Sequence, residues 1–271
     1  MAPRPALRGG RRCARGAGLV LCLWMTGAGG ALACAPPHET TAMPESVSAV
    51  SRGGQHAWYD GPTTRYPHGV LGDTVEGTEL HVMTSASPCR ILSVTLPETL
   101  VFEDTMPRLA DLDGDGQPEI IVVQSHSDLG AQLAVYASAA DGTLLDLIAA
   151  TPFIGRRNRW LAPIGAADLD GDGMVEIAYI DRPHLARTLR VWRYEGGQLT
   201  EIASADGLTN HRIGDPTIPG GLRDCGDGPE MITADAGWSR VIATRLGPDG
   251  RLTSRDLGPW WPGALNAALS C

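Results

Sequence analysis

The chain has 271 residues, 43% hydrophobic and 20% charged, and a formal net charge of −9. All 22 of its basic residues are arginine, which excludes a lysine Schiff base and the lysine of a phosphate-binding P-loop. The acidic balance argues against nucleic acid as a partner, because phosphate neutralisation needs basic side chains.

Residues 1–33 read as a signal peptide. Arg4, Arg8, Arg11, Arg12 and Arg15 form a basic start, Gly18 to Met25 is apolar, and Ala31-Leu32-Ala33 is a small-residue cleavage site. The apolar run is too short to span a membrane as a helix, and no later run is long enough. Export to the periplasm or cell surface is therefore expected, with a lipid anchor at Cys34 as the alternative to ordinary cleavage. Cys34, Cys89, Cys225 and Cys271 remain after cleavage; an oxidising compartment implies at least one disulfide, and the spacing leaves the pairing open. Residues 34–44 carry three prolines and read as a linker or tail.

From Glu45 to Cys271 the chain alternates short apolar strands with Gly, Pro and Asp punctuation. Four units can be traced through their outer strand pairs. These start at Leu80-His81-Val82-Met83, Leu133-Ala134-Val135-Tyr136, Leu189-Arg190-Val191-Trp192 and Val241-Ile242-Ala243-Thr244. Asp141-Gly142, Gly196-Gly197 and Asp249-Gly250 supply hairpin turns. A period in the fifties selects a small all-β propeller of about five four-stranded blades. The expected fifth blade is a composite, with the hairpin of Val47–Val50 and Gln55–Tyr59 joined by an inner strand from Trp260–Leu269; four blades is the alternative.

The strongest signal occurs twice. Asp111-Leu112-Asp113-Gly114-Asp115-Gly116-Gln117-Pro118-Glu119 runs into Ile120-Ile121-Val122-Val123, and Asp168-Leu169-Asp170-Gly171-Asp172-Gly173-Met174-Val175-Glu176 into Ile177-Ala178-Tyr179-Ile180. Acids at positions 1, 3, 5 and 9 with glycine at 4 and 6 suit a hard cation. An EF-hand is excluded, because position 12 is Val122 or Tyr179 where a bidentate Glu is required, and a strand follows instead of a helix.

The acid at position 9 leading directly into a strand resembles the FG-GAP/VCBS repeat, the calcium-loop blade of integrin α-subunit propellers and of many secreted bacterial proteins. The resemblance implies that each loop joins the first and second strands of a blade. It also implies two Ca²⁺ sites. One would use Asp111, Asp113, Asp115, Glu119 and the Gln117 carbonyl; the other Asp168, Asp170, Asp172, Glu176 and the Met174 carbonyl. A third copy, Asp224-Cys225-Gly226-Asp227-Gly228-Pro229-Glu230, has Leu222 and Gly226 where two ligands should stand. No third site is expected, and Cys225 suggests a disulfide as the local clip.

With the acidic loops on one face of such a disc, the opposite loops would gather His68, Arg108, His126, Arg159, Trp160, Arg182, His184, His211 and Trp238 into a central cluster. Arginine forks suit carboxylate, sulfate or phosphate, and tryptophan suits sugar faces. The expected role is a calcium-stabilised binding module for a protein, a glycan or a small anion. The alternative is an exported hydrolase or lyase on the same face. No Gly-x-Ser-x-Gly, His-Glu-x-x-His or dinucleotide glycine pattern is present, so the sequence names no catalytic residue.

Overall fold

The computed structural model describes residues 43, 46–49, 54–84, 90–139 and 142–271. The expected signal peptide, the linker apart from Met43, and Cys34 and Cys89 lie outside the described residues. Among the described residues the fold is all-β, with strands in four antiparallel sheets and a single one-turn helix.

Blade 1 contains β1 (Ser48–Ala49), β2 (His56–Asp60), β3 (Glu79–Met83) and β4 (Ile91–Thr95). Blade 2 contains β5 (Leu100–Phe102), β6 (Arg108–Ala110), β7 (Glu119–His126), β8 (Gly130–Ser138) and β9 (Leu145–Ala150). Blade 3 contains β10 (Leu161–Ala167), β11 (Glu176–Asp181), β12 (Thr188–Glu195) and β13 (Gln198–Asp206). Blade 4 contains β14 (Leu208–Thr209), β15 (Gly221–Asp224), β16 (Pro229–Asp235), β17 (Arg240–Leu246) and β18 (Leu252–Pro259), followed by α1 (Ala264–Ala267).

Strands of equal rank lie side by side. The inner strands β1, β6, β10 and β15 are successive neighbours, and so are the outer strands β4, β9, β13 and β18. The second strands are buried on both faces, which explains their unbroken apolar runs. Ile120 and Val122 on β7 pack toward Tyr59 and Leu80 of blade 1, whereas Ile121 and Val123 pack toward Trp160 and Ile177 of blade 3. Outer strands such as β13 and β18 are largely exposed.

The composite fifth blade does not form among the described residues. The N-terminal hairpin strands β1 and β2 pair with each other and, through β2, with β3, completing blade 1. Trp260–Leu269 is not a strand: β18 ends at Pro259, Gly263 takes φ 93°, and α1 begins at the next residue. Ala264 and Leu265 then bury against Ile232, Ala234, Val241 and Ala243, so the helix covers the blade 4 face that a further blade would need.

The innermost strand is interrupted at a similar place in three blades. Glu103–Pro107 separates β5 from β6, a bulge lies between Pro163 and Gly165 in β10, and residues 210–220 separate β14 from β15. Pro107, Pro216 and Pro219 have no N–H to give a ladder, and Pro163 and Gly165 flank the bulge. Residues of all three interruptions line one common cavity.

Candidate functional site

The two acidic loops are built alike. Each joins the first and second strands of its blade, as expected, running from β6 to β7 and from β10 to β11. Asp111 accepts the Gly114 and Gly116 N–H groups (2.8 and 3.0 Å), Asp113 that of Asp115 (3.1 Å), Asp115 that of Gln117 (2.7 Å) and Glu119 that of Leu112 (2.7 Å). Asp168 accepts Gly171 and Gly173 (2.7 and 2.9 Å), Asp170 accepts Asp172 (3.2 Å), Asp172 accepts Met174 (2.9 Å) and Glu176 accepts Leu169 (2.8 Å). Gly114, Gly116, Gly171 and Gly173 all have positive φ, which lets the chain coil around the carboxylates. Ligand oxygens of Asp111, Asp113 and Asp115 lie within 4.8 Å of one another, and so do those of Asp168, Asp170 and Glu176.

The environments of the loops differ. Glu176 faces Arg193 across the β11–β12 pair. The Arg193 guanidinium reaches Glu176 at 2.7 Å, Asp170 at 2.8 Å and Asp172 at 2.9 Å. In blade 2 the corresponding position, one step beyond the Ile120–Tyr136 pair, is Ala137. No basic side chain pairs with the first loop among the described residues. Burial, with Asp113 and Asp115 adding to it, pushes Glu119 up to about 7. Burial also raises Glu176, but Arg193 works against it. Blade 4 goes furthest: Arg223, Arg245 and Arg255 all contact Glu230 (2.8, 3.3 and 2.7 Å), and Arg255 and Arg223 hold it below the usual carboxylate range. There Cys225 is bonded to Cys271, the expected clip, with Cα atoms 5.6 Å apart. Oxygen donors and glycines in the first loop fit a hard divalent cation without competition. The second has the same donors, but three of its carboxylates already share one guanidinium.

Of the nine side chains expected to gather opposite the loops, six do so. His68, Arg159, Trp160, Arg182 and His184 line a pocket of about 280 Å³ together with Asn158, Leu185 and Ile213, and His211 lies directly behind it. Trp160 is almost fully buried; its indole N–H donates to the Glu103 carbonyl oxygen (2.8 Å), and its ring packs on both His184 and His211. His211 Nε2 lies 2.9 Å from the Asp215 carbonyl oxygen and therefore carries a proton. Its Nδ1 then accepts from His184 Nε2 at 3.0 Å. Burial and the neighbouring His211 lower His184 to about 4, and burial also lowers His211, so both shifts favour the neutral ring. His68 Nδ1 lies 2.5 Å from an oxygen of the buried Glu103, whose other oxygen accepts from Ser125.

The pocket's cations are unequal. Arg182 is held in a fork by Asp181 (2.8 Å at both contacts). Arg159 donates to the Asn158 carbonyl oxygen (3.0 Å) and has no acidic partner among the described residues. Its loop is seated by Gly130, which has φ 74° and comes so close that an added Cβ would lie 2.2 Å from the Arg156 carbonyl oxygen. Asn158 and Arg182 both take positive φ, strain held at the pocket rim.

The other three candidates lie elsewhere. Arg108 pairs with Asp104 (2.6 Å) and lines an axial cavity. His126 packs edge-on against Phe153, and its Nδ1 accepts the Asp128 N–H (3.1 Å). Trp238 packs against Trp260, with Arg212 over both rings. Sequence reasoning missed Arg193, Arg245 and the buried acid Glu76. Aligning the blades column by column exposes the Ala137, Arg193, Arg245 series, whereas nothing in the local sequence marks Glu76.

Residues 111–179 match the FG-GAP-like repeat family. No curated protein matches the chain. Among solved structures, a protein from Lactobacillus plantarum overlaps with a TM-score of 0.43 at 15% identity, covering 78% of this chain and 56% of its own. Regucalcin, a calcium-binding protein from Agrobacterium tumefaciens, overlaps at 0.34 and 17%, covering 78% and 57%. An exotype rhamnogalacturonan lyase overlaps at 0.32 and 16%, covering 78% and 50%. The chain thus spans about half the length of these structures, and overlaps this loose carry no functional weight. The stretch from the first acidic loop into β11 is thus similar to the FG-GAP-like repeat, and the four-sheet blade architecture around it is a propeller-like all-β fold.

Proposed function

We propose that the chain is an exported, calcium-stabilised binding module whose His/Arg/Trp pocket takes a small anionic ligand, with a carboxylate as the preferred group. The observation that carries this is Arg159, a guanidinium without an acidic partner among the described residues, in a pocket lined by buried Trp160 and by His184, which His211 backs. An unpaired fork is suited to a carboxylate or phosphate. His184 uses Nε2 as its donor and so retains Nδ1 as an acceptor for a ligand hydroxyl. A free small anion, or the acidic group of a glycan or peptide, satisfies the same chemistry.

Export is supported by the Cys225–Cys271 disulfide, which belongs in an oxidising compartment. No helix among the described residues is long and apolar enough to cross a membrane. Periplasmic or surface location is part of the proposal. So is calcium: the first loop is its main site, and the second binds it only if Arg193 gives up the shared carboxylates. The metal's part is to neutralise the loop and lock the first turn of its blade.

The test is a thermal-shift and calorimetric screen with succinate, inorganic phosphate and a uronic acid oligosaccharide. At least one should bind, and Arg159→Ala should weaken it by about tenfold or more, as loss of a charge-assisted pair does. An unaffected Arg159→Ala variant would discard the site. One observation favours the second reading, an exported hydrolase or lyase: buried Glu103 orients His68 and leaves its Nε2 without a hydrogen bond among the described residues. Turnover abolished by His68→Ala would establish that reading.

A further inference from the structure

The interruptions of the inner strands enclose a second cavity at the axis, separate from the His/Arg/Trp pocket. Its volume is about 620 Å³, within the range of small-molecule sites. All four blades contribute to its wall, which is apolar over Leu71, Val75, Met106, Ile164 and Ile218. Its charged groups are acidic with one exception: Asp73, Glu76 and Asp104, with Arg108 already paired to Asp104 at 2.6 Å.

Glu76 is the unexplained group. It is 4% exposed and lines the cavity, yet its carboxylate has no hydrogen-bond partner among the described residues. Other buried acids in this region are satisfied. Asp104 accepts from Arg108 and the Thr105 N–H (2.8 Å), and Glu103 is held by His68 and Ser125. Buried polar groups in folded proteins are nearly always paired, and one that is not calls for a partner. The carboxylates around the cavity do not form a compact oxygen cage; the metal-sized groupings among the described residues are those in the acidic loops. That selects an organic cation over a metal ion.

We propose that the axial cavity binds a primary ammonium ion carried on an apolar body, with Glu76 as its counter-charge and the apolar wall receiving the alkyl or aryl part. This proposal does not rest on the anion pocket. Burial, with Glu103, Asp73 and Asp104 nearby, pushes Glu76 up to about 10, so the ligand-free acid holds its proton at neutral pH. Pairing with an ammonium would ionise it, and one proton would be released per ligand bound. Asp73 on the same β2–β3 connection, Tyr59 on β2, Glu103 and Asp104 between β5 and β6, and Arg108 on β6 are its ionisable surroundings.

The experiment is calorimetry on the mature protein with benzylammonium and hexylammonium, and with benzyl alcohol as the neutral control. Binding of an ammonium with a Kd of about 1 mM or below is expected. The alcohol should bind at least about tenfold more weakly, and the observed enthalpy should vary between buffers as one released proton requires. Glu76→Gln should weaken the ammonium by about tenfold or more without lowering the melting temperature, because a neutral isostere suits the buried site. Absence of saturable ammonium binding, equal binding of the alcohol, or equal binding by a folded Glu76→Gln variant would each overturn the proposal.

Discussion

Arg193 offers the sharpest test of how the repeat holds itself together. Its guanidinium contacts Glu176, Asp170 and Asp172 at 2.7 to 2.9 Å. The Glu176 side chain is fully buried and that of Asp170 nearly so, whereas Asp172 is about one-third exposed. Arg193→Ala therefore strands two buried carboxylates and one that water can screen. Removing one partner of a buried pair costs on the order of 3–5 kcal/mol, while an exposed pair contributes about 1 kcal/mol or less. Because Arg193 itself keeps some solvent contact, about 3 kcal/mol is a fair figure. In a domain of this size that lowers Tm by about 6–12 °C. The assay is a melting curve in chelator and again in excess calcium. In chelator the variant should show the full loss. With calcium most of it should return, since the freed carboxylates then match the first loop, where Ala137 leaves them open. Metal analysis should rise from about one ion in the parent to two in the variant. If Arg193→Ala melts with the parent in chelator, or stays equally destabilised in calcium, the guanidinium is not standing in for a cation.

Other outcomes follow from the same geometry. Chelation should lower the parent's Tm, and Asp113→Ala should remove most of that response; an unchanged melting curve in chelator would sink the calcium assignment. Replacing Cys225 and Cys271 together by Ala should cost about 2–4 kcal/mol in unfolding free energy, since the bridge spans 46 residues. Gly130→Ala should weaken ligand binding at the pocket more than the distant Gly142→Ala, because only the former drives a Cβ into the Arg156 carbonyl; equal affinities would refute the loop's role. His184 is held neutral down to about 4, below its ordinary 6.5, chiefly by burial. The unfolded chain therefore takes up its proton first, and stability should fall as pH drops from about 6.5 toward 4. His184→Asn should flatten that part of the pH–stability curve as read by denaturant titration.

Sequence alone determined the blade motif and the layout of the acidic loops. Spacing within nine residues is local, and the glycines and acids that coil the chain report on themselves. The unbroken run Ile120–Val123 likewise announced a strand buried on both faces, because burial on both faces leaves no polar position. The gathering of His68, Arg159, Trp160, Arg182, His184 and His211 was legible once the repeat was known, since equivalent loops must converge. Arg108, His126 and Trp238 did not join them, because close partners claim each: Asp104, Phe153, and Trp260 with Arg212. What only the tertiary structure decided depends on partners distant in sequence. Arg193 reaches its carboxylates across a strand pair, α1 closes blade 4 where a strand was expected, and Glu76 lies buried at an axis that no short stretch defines. Charge neutralisation and burial are sums over neighbours, and the neighbours exist only once the blades have packed.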